Sequence, residues 1–424
     1  MLYHSTSGTS HAVGLREAVL AGHAPDGGLY MPDKLPLLPA AFFNNMPDMT
    51  LPETAYVAAN TLFSDDVDSQ VLSRVASEVF SFDVPMRRLS DSVSVLELFH
   101  GPTGSFNDIG ARFLAGLLPH LKLDAANPVN FLMATAGDSG AAVAHALHNL
   151  PGAKVTVLFP AKRLSEVQQA QLASLGGNVS AVEVNGSIDV CRALVERVFS
   201  DPAVTERVRL TPASSINIAR FLPQIFYYFH AYAALRRAGD RRKVVIAVPG
   251  GNLGNLAAGL VAKRMGLPVS RFIVSNNLNA SFVNYLSTGR MEVGGLVTTG
   301  AGALDVSRPT NFPRITWLYD DDVARLRADL SGAAFSDDAI ERAVRMCGTA
   351  GYGVDSSSAT AWQALVDSVD PATETGIFFA IASPEKTAAA PSAAADYHEL
   401  LSRPRSVMRI GRSYQALVNH LLNR

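Results

Sequence analysis

The chain has 424 residues, which at about 100–200 residues per domain predicts two or three domains. Apolar residues make up 48% and charged residues 17%, and 36 Lys+Arg against 38 Asp+Glu leave a net charge of −2, so intrinsic disorder is excluded and no basic stripe suits nucleic acid. The two cysteines, Cys191 and Cys347, can build neither a disulfide framework nor a four-ligand zinc site, and are expected to be core residues of a protein in the reducing cytoplasm.

In chain order, the opening MLYHSTSGTSHAVG has no basic flank and no apolar core of a signal peptide, so export is not expected. Short apolar runs of parallel-strand type follow at 129–134, 154–159, 179–184, 243–248, 271–275 and 376–382. Runs apolar on both faces suit strands covered by helices on each side, and segments 140–149 and 164–175 carry helical periodicity between them. The fold class is therefore α/β: two open parallel-sheet α/β domains with a cleft between them, plus an N-terminal region. The expected divisions are 1–84, 85–239 and 240–424, the last beginning after the polar stretch 236–242. The longest uncharged stretch, 244–262, is broken by Pro249, Gly250, Gly251, Asn252, Gly254 and Asn255, so it reads as strand, turn and helix, and no membrane partner is expected.

Ligands of open parallel sheets sit beyond the carboxyl ends of strands, which directs attention to three loops. After Ala134 the chain reads Thr135-Ala136-Gly137-Asp138-Ser139-Gly140 into a helix, an arrangement that frees backbone N–H groups for an anion. After Val248 it reads Pro249-Gly250-Gly251-Asn252-Leu253-Gly254-Asn255, where three glycines permit close backbone approach and two asparagines can cap or donate. Both are also ordinary turn compositions. The third region, His100-Gly101-Pro102-Thr103-Gly104-Ser105-Phe106-Asn107-Asp108, enters a helix with Thr103 and Ser105 as N-cap candidates.

From His100 to Leu114 the chain resembles the cofactor-lysine motif of threonine synthases, HGPT-x-x-F-K-D-x-G-x-R-F. These are pyridoxal-phosphate (PLP) enzymes of fold type II. The resemblance extends over His4-Ser5-Thr6, GHAPDGGLYMP, TAGDSG, LGGN at 175–178, SSINIAR at 214–220, GGNLGN and LDVSRPTNFPR at 304–314. It implies a PLP cleft between two α/β domains, with the cofactor phosphate on Gly250, Gly251, Asn252, Leu253, Gly254 and Asn255. It also implies that Asp138 lies beside the cofactor ring and that Ser215, Asn217 and Arg220 hold the phosphate of a phosphorylated amino acid like O-phosphohomoserine. Thr103, Ser105 and Ser139 join that substrate set. Outside the motif, a helix arginine such as Arg220 would be read as a surface residue.

The departures from the family pattern are specific. Asn107 stands where the family carries its Schiff-base lysine, and an amide can neither form an imine nor shuttle a proton. The family's E-P-H-x-A and T-A-H-P-A-K-F correspond to Asp355-Ser356-Ser357-Ser358-Ala359 and Ile381-Ala382-Ser383-Pro384-Glu385-Lys386-Thr387, so two histidines become Ser357 and Ser383 and a threonine becomes Ile381. Changes at several ring-side positions together point to natural divergence rather than a single knock-out.

The leading expectation is a carbon–oxygen lyase of specialised metabolism that expels phosphate by elimination, substitution or cyclisation, with PLP bound non-covalently or absent and Asp138, His100 or Asp108 as base. His100 as a loop histidine and Asp108 as a helix-start carboxylate are the plain alternatives. Another reading is a PLP-binding threonine synthase making threonine from O-phosphohomoserine, either a lysine mutant or a chain in which a different amine, Lys162, Lys263 or Lys386, replaces the missing lysine, although Lys386 corresponds to a family lysine that does not form the Schiff base. A third is a non-catalytic pseudoenzyme or ligand sensor. No metal is expected, since the nearest histidine pair, His145 and His148, lacks a third ligand.

Overall fold

The computed structural model describes residues 1–387 and 395–423. Its strands are β1 (Tyr3–Ser5), β2 (Tyr30–Pro32), β3 (Met86–Arg88), β4 (Val93–Glu97), β5 (Val129–Ala134), β6 (Ala153–Pro160), β7 (Val179–Val184), β8 (Leu210–Pro212), β9 (Lys243–Pro249), β10 (Arg271–Asn276), β11 (Leu330–Ala334), β12 (Glu374–Ala380) and β13 (Met408–Gly411). The six apolar runs read from sequence are β5, β6, β7, β9, β10 and β12. They are buried along nearly their whole length, as strands covered on both faces must be.

Two sheets result, a six-stranded one in the order β11-β10-β9-β12-β4-β3 and a five-stranded one in the order β13-β7-β6-β5-β8. Every pairing is parallel except β3 with β4. A small antiparallel pair, β1 with β2, belongs to the N-terminal region. This is the mixed α/β architecture of PLP fold type II.

The linear divisions expected at 84/85 and 239/240 do not follow the sheets. Strand β4 is buried on both faces and pairs with β12, placing Val95 opposite Phe378. The helix Ile225–Arg237 also lies against the later sheet, where Tyr227 and Tyr228 meet Phe379 edge-on at 5.3 and 4.9 Å between ring centroids. In return β13, near the C-terminus, pairs with β7 in the five-stranded sheet. The physical reason is that an apolar strand needs partners on both sides, and those partners come from distant sequence.

Rings connect the N-terminal region to the sheets: Phe63 meets Phe113, and Phe113 meets Phe226, at 5.3 and 5.6 Å. Such contacts, each buried aromatic contributing about 1.5–3 kcal/mol, anchor the helix Asn107–Leu117 against two others. Cys191 and Cys347 are wholly buried free thiols, pushed up to about 12 and about 11 by burial. Among the described residues no helix is long and apolar enough to cross a membrane.

Candidate active site

The helix Asn107–Leu117 starts on the residue of greatest interest. Before it, the turn at 101–108 is pinned by Asp108, whose carboxylate accepts from Thr103 N at 3.0 Å and Thr103 Oγ1 at 2.8 Å. Burial pushes the Asp108 carboxyl up, opposed by these two hydrogen bonds. Asp108 is thus tied into the turn. Ser105 is buried, bridges to Ala382, and lies 3.5 Å from Asn107 Nδ2.

Asn107 points its Oδ1 at Arg220 Nη2, 3.3 Å away. Arg220 sits in the short helical turn Ile218–Phe221 and is 3% exposed. Its Nη1 donates to Ser139 Oγ at 3.0 Å and to Ala213 O at 2.8 Å. Among the described residues its Nε has no partner, and no carboxylate reaches ion-pair distance of the group. Burial pushes the guanidinium down to about 10, which leaves it protonated at neutral pH.

Ser139 and Asp138 open the helix Asp138–Ala146. Its entry needs glycine at 137: φ is 136°, and a Cβ there would come within 2.6 Å of the Gln168 side chain. Thr135 Oγ1 accepts from the N–H of Gly137 and of Gly140 at 3.0 and 2.9 Å. Gln168 Nε2 donates to Asp138 Oδ1 at 2.9 Å. The same oxygen lies 2.7 Å from Nζ of Lys386, which also donates to Thr103 O at 2.7 Å. Contacts and chain neighbours together therefore close a ring, running from Asn107 through Arg220 to Ser139, along the chain to Asp138, through Lys386 and Thr103 to Asp108, and along the chain back to Asn107.

Beyond β9 the chain turns through Gly250–Asn255 into the helix Gly254–Arg264, with Leu253 in the left-handed region at φ 60°. The parallel register sets Pro249 beside Ser275, and Asn276 Nδ2 donates to Gly250 O at 2.7 Å. Close approach demands glycine at 251, where a Cβ would meet Ala303 O at 2.6 Å. Asn252 accepts from Thr310 N and Oγ1 at 2.7 and 2.9 Å. Ser215 Oγ accepts from Asn252 Nδ2 at 3.3 Å and Asn311 Nδ2 at 2.9 Å, so this loop and the Arg220 segment share a wall. Asn255 Oδ1 accepts from Tyr228 Oη at 2.6 Å, while its buried Nδ2 has no partner among the described residues.

Two of the expected residues fall elsewhere. His100 pairs with Glu97, Nε2 to Oε2 at 2.6 Å, and stacks on Phe99. Among the described residues no hydrogen bond joins it to the Arg220 cluster, and the Glu97 carboxylate, also held by Arg87 at 2.8 Å, keeps it at the edge of β4. Asn217 is wholly buried and spent on structure: Nδ2 donates to Val19 O and Pro212 O at 2.8 and 3.3 Å, and Oδ1 caps Ala219 N at 3.1 Å.

Other residues gained a place that sequence had not given them. Arg314 is wholly buried behind Ser215, donating to Ser215 O, Asn311 Oδ1 and Ile216 O, each at 2.7 Å. Asp355 caps the helix Ser356–Val366 through the N–H of Ser357 and Ser358. Motif position hinted at Asn311 and Arg314, whereas Gln168 gave no signal, being one of three glutamines on the helix Glu166–Ala173.

These features define an α/β protein of PLP fold type II. The family model "Pyridoxal-phosphate dependent enzyme" matches residues 84–375, and "Threonine synthase N terminus" matches 2–80. Threonine synthase of Escherichia coli is 37% identical over 374 residues, covering 88% of this chain and 86% of that one. That of Haemophilus influenzae is 38% identical over 370 residues, covering 87% and 85%. The crystal structure of threonine synthase from Escherichia coli superimposes with a TM-score of 0.92 at 33% identity over 100% of both chains. PLP-bound threonine synthase from Brucella melitensis does so with a TM-score of 0.91 at 28% identity, over 100% of this chain and 99% of that one. The chain belongs to the threonine synthase family.

The residues present fit the phosphate arm of PLP. The first-turn amides of Gly254–Arg264 lack acceptors within the helix, and the unpartnered Asn255 Nδ2 lies in that same turn. Position 107 offers an amide and no amine.

Proposed function

We propose that this protein is a threonine-synthase-type lyase: it binds PLP on the Gly250–Asn255 loop and breaks the carbon–oxygen bond to phosphate in a phosphorylated amino acid resembling O-phosphohomoserine. The observation that carries the reading is Arg220, a buried cation that pairs with no carboxylate at ion-pair distance among the described residues and is fixed by Ser139 Oγ and Ala213 O. A cation held this way is poised for an anion, and a planar guanidinium accepts phosphate oxygens in pairs.

In this reading Arg220, Ser139 Oγ and the amides that open the helix Asp138–Ala146 receive the substrate phosphate. They stabilise the negative charge that grows on the departing oxygen. Ser215 and Asn252, joined at 3.3 Å, align the two anion sites. Asp138, fixed by Gln168 and Lys386, orients the reacting end of the substrate. PLP, when bound, supplies an electron sink for carbanion chemistry. Asn107 takes no proton and makes no covalent bond to it; its work is to hold Nη2 of Arg220.

Phosphate release from O-phosphohomoserine, followed with and without added PLP, tests this. Release that requires PLP is the expected result. Equal release without PLP would favour direct displacement aided by Arg220 alone, and no release from this class of substrate would remove the reading.

A further inference from the structure

A cavity of about 680 Å³ lies where the N-terminal region meets two later helices, and it shares no lining residue with the Arg220 cluster. Its volume is in the range of small-molecule sites. Half-buried Leu35, Arg264 and Trp317 line it together with exposed Asp33, Lys34 and Asp321. Arg325 and Asp320, also at the cavity, satisfy each other at 2.6 Å. The other four charges do not. Among the described residues the carboxylates of Asp33 and Asp321 and the Lys34 ammonium have no partner, and Arg264 spends only Nη2, on Leu318 O at 2.8 Å. The Arg264 guanidinium lies over the Tyr319 ring, 4.7 Å from its centroid. The cavity also shares its frame with the phosphate loop. The helix Gly254–Arg264 begins on that loop and ends at Arg264, 11 residues or about 15 Å along. In the helix Phe312–Leu318, Arg314 holds Ser215 O while Thr316 and Trp317 line the cavity.

We propose that this cavity is a second ligand site, for a free α-amino acid with an apolar side chain, and that its occupancy is felt at the phosphate loop. Lys34 and Arg264 receive the carboxylate, one as a point charge and the other as a planar fork. Asp33 and Asp321 receive the ammonium, and Leu35 and Trp317 cover the side chain. A ligand of one sign would be drawn by one pair of charges and repelled by the other, whereas a zwitterion answers both. Amino-acid binding stands apart from the proposed reaction; the coupling rests on the phosphate site proposed above. A ligand that draws on Arg264 bears on the same helix whose first-turn amides open onto the phosphate loop. By linkage the two ligands then change each other's affinity by the same factor.

The test is calorimetric titration of the full-length protein with L-leucine, with and without inorganic phosphate. Binding is expected. L-Leucinamide, which lacks the carboxylate, and isocaproate, which lacks the ammonium, should each bind at least about fivefold more weakly, the upper end for an exposed ion pair. L-Leucine should lose as much on Lys34→Gln and on Asp321→Asn. Both positions are exposed, and asparagine tolerates the left-handed backbone at 321, φ 57°, so both variants keep the fold. Arg220→Met should bind L-leucine as the wild type does, which separates this cavity from the Arg220 cluster. Saturating phosphate should shift the L-leucine Kd of the wild type by at least about fivefold, the lower end of typical couplings. No binding of L-leucine, or binding that Arg220→Met abolishes and the two cavity variants leave intact, would overturn the site. Binding at the cavity with no effect of bound phosphate would overturn the coupling alone. Failure of the wild type to bind phosphate would remove the anion site and the coupling with it, and leave the amino-acid site standing.

Discussion

Arg220 and Ser139, 81 residues apart, meet at 3.0 Å through Nη1 and Oγ, and this contact ties the turn Ile218–Phe221 to the start of the helix Asp138–Ala146. Neither side chain neutralises the guanidinium, and in the proposed function the substrate phosphate does so. Arg220→Met should lower the affinity for inorganic phosphate by about 10–100-fold, the range of a lost charged hydrogen bond or two. Arg220→Lys should fall between, keeping charge but losing the fork. Calorimetric titration with phosphate checks this, and an unchanged Kd in Arg220→Met would show that the anion binds elsewhere.

Gly251→Ala puts a Cβ 2.6 Å from Ala303 O, a backbone atom that cannot swing aside. Gly302→Ala, in the neighbouring turn, has nothing within 4 Å and serves as control. The first change should displace the phosphate loop and weaken PLP retention by about tenfold or more, with a stability loss on the order of 1–3 kcal/mol. The second should do neither. Equilibrium dialysis and urea unfolding of both variants decide the matter, and equal behaviour would mean that the loop yields at no cost.

Arg314 holds three carbonyl groups and Asn311 Oδ1 while lying over the Phe221 ring, 4.0 Å from its centroid. One of those carbonyls belongs to Tyr30, so the residue fastens β2 to the turn that carries Ser215. Arg314→Lys keeps the charge yet loses the planar stack and most of the bonds. It should destabilise the fold by on the order of 2–3 kcal/mol in urea unfolding, while the phosphate affinity changes far less than in Arg220→Met. A fall in affinity as large as that of Arg220→Met would instead make Arg314 part of the anion site.

Parallel strands such as β9 and β10 were legible because a strand buried on both faces is apolar at nearly every position, and that pattern needs no knowledge of its partners. Strands β3, β8 and β13 were not, being three or four residues long. Edge strand β11, LSGAA, is mostly small and half-exposed. Membership of a sheet was hidden too: β4 reads like any buried strand, and only its pairing with β12 assigns it to the later segment. The site divides in the same manner. Arg220, Ser139 and Asp138 follow from motif position, whereas the contact of Lys386 with Asp138 spans 248 residues and exists only because 381–386 crosses back over 104–106. Asn217 and His100 show the converse, polar residues in the right motifs whose hydrogen bonds are taken by helix capping and by Glu97.

Asp355 gives a pH-dependent signature. Burial pushes its carboxyl up to about 6, hydrogen bonds from Ser358 and Ser357 oppose this, and the Asp138 charge adds to the rise. Unfolded, the group titrates near about 3.9, so between these values the folded chain binds a proton that the unfolded chain does not. The stability it confers is therefore fully present below about pH 4 and is lost as pH rises through about 6, by up to roughly 3 kcal/mol for a two-unit difference. Asp355→Asn removes the titration but keeps an oxygen to accept from the N–H of Ser357 and Ser358, so the cap survives. The stability of the wild-type protein relative to Asp355→Asn should thus decline between pH 4 and pH 8 and level off above, when urea unfolding is measured at each pH. A difference that stays constant over that span would mean that the capping hydrogen bonds fully offset burial and that Asp355 is ionised throughout.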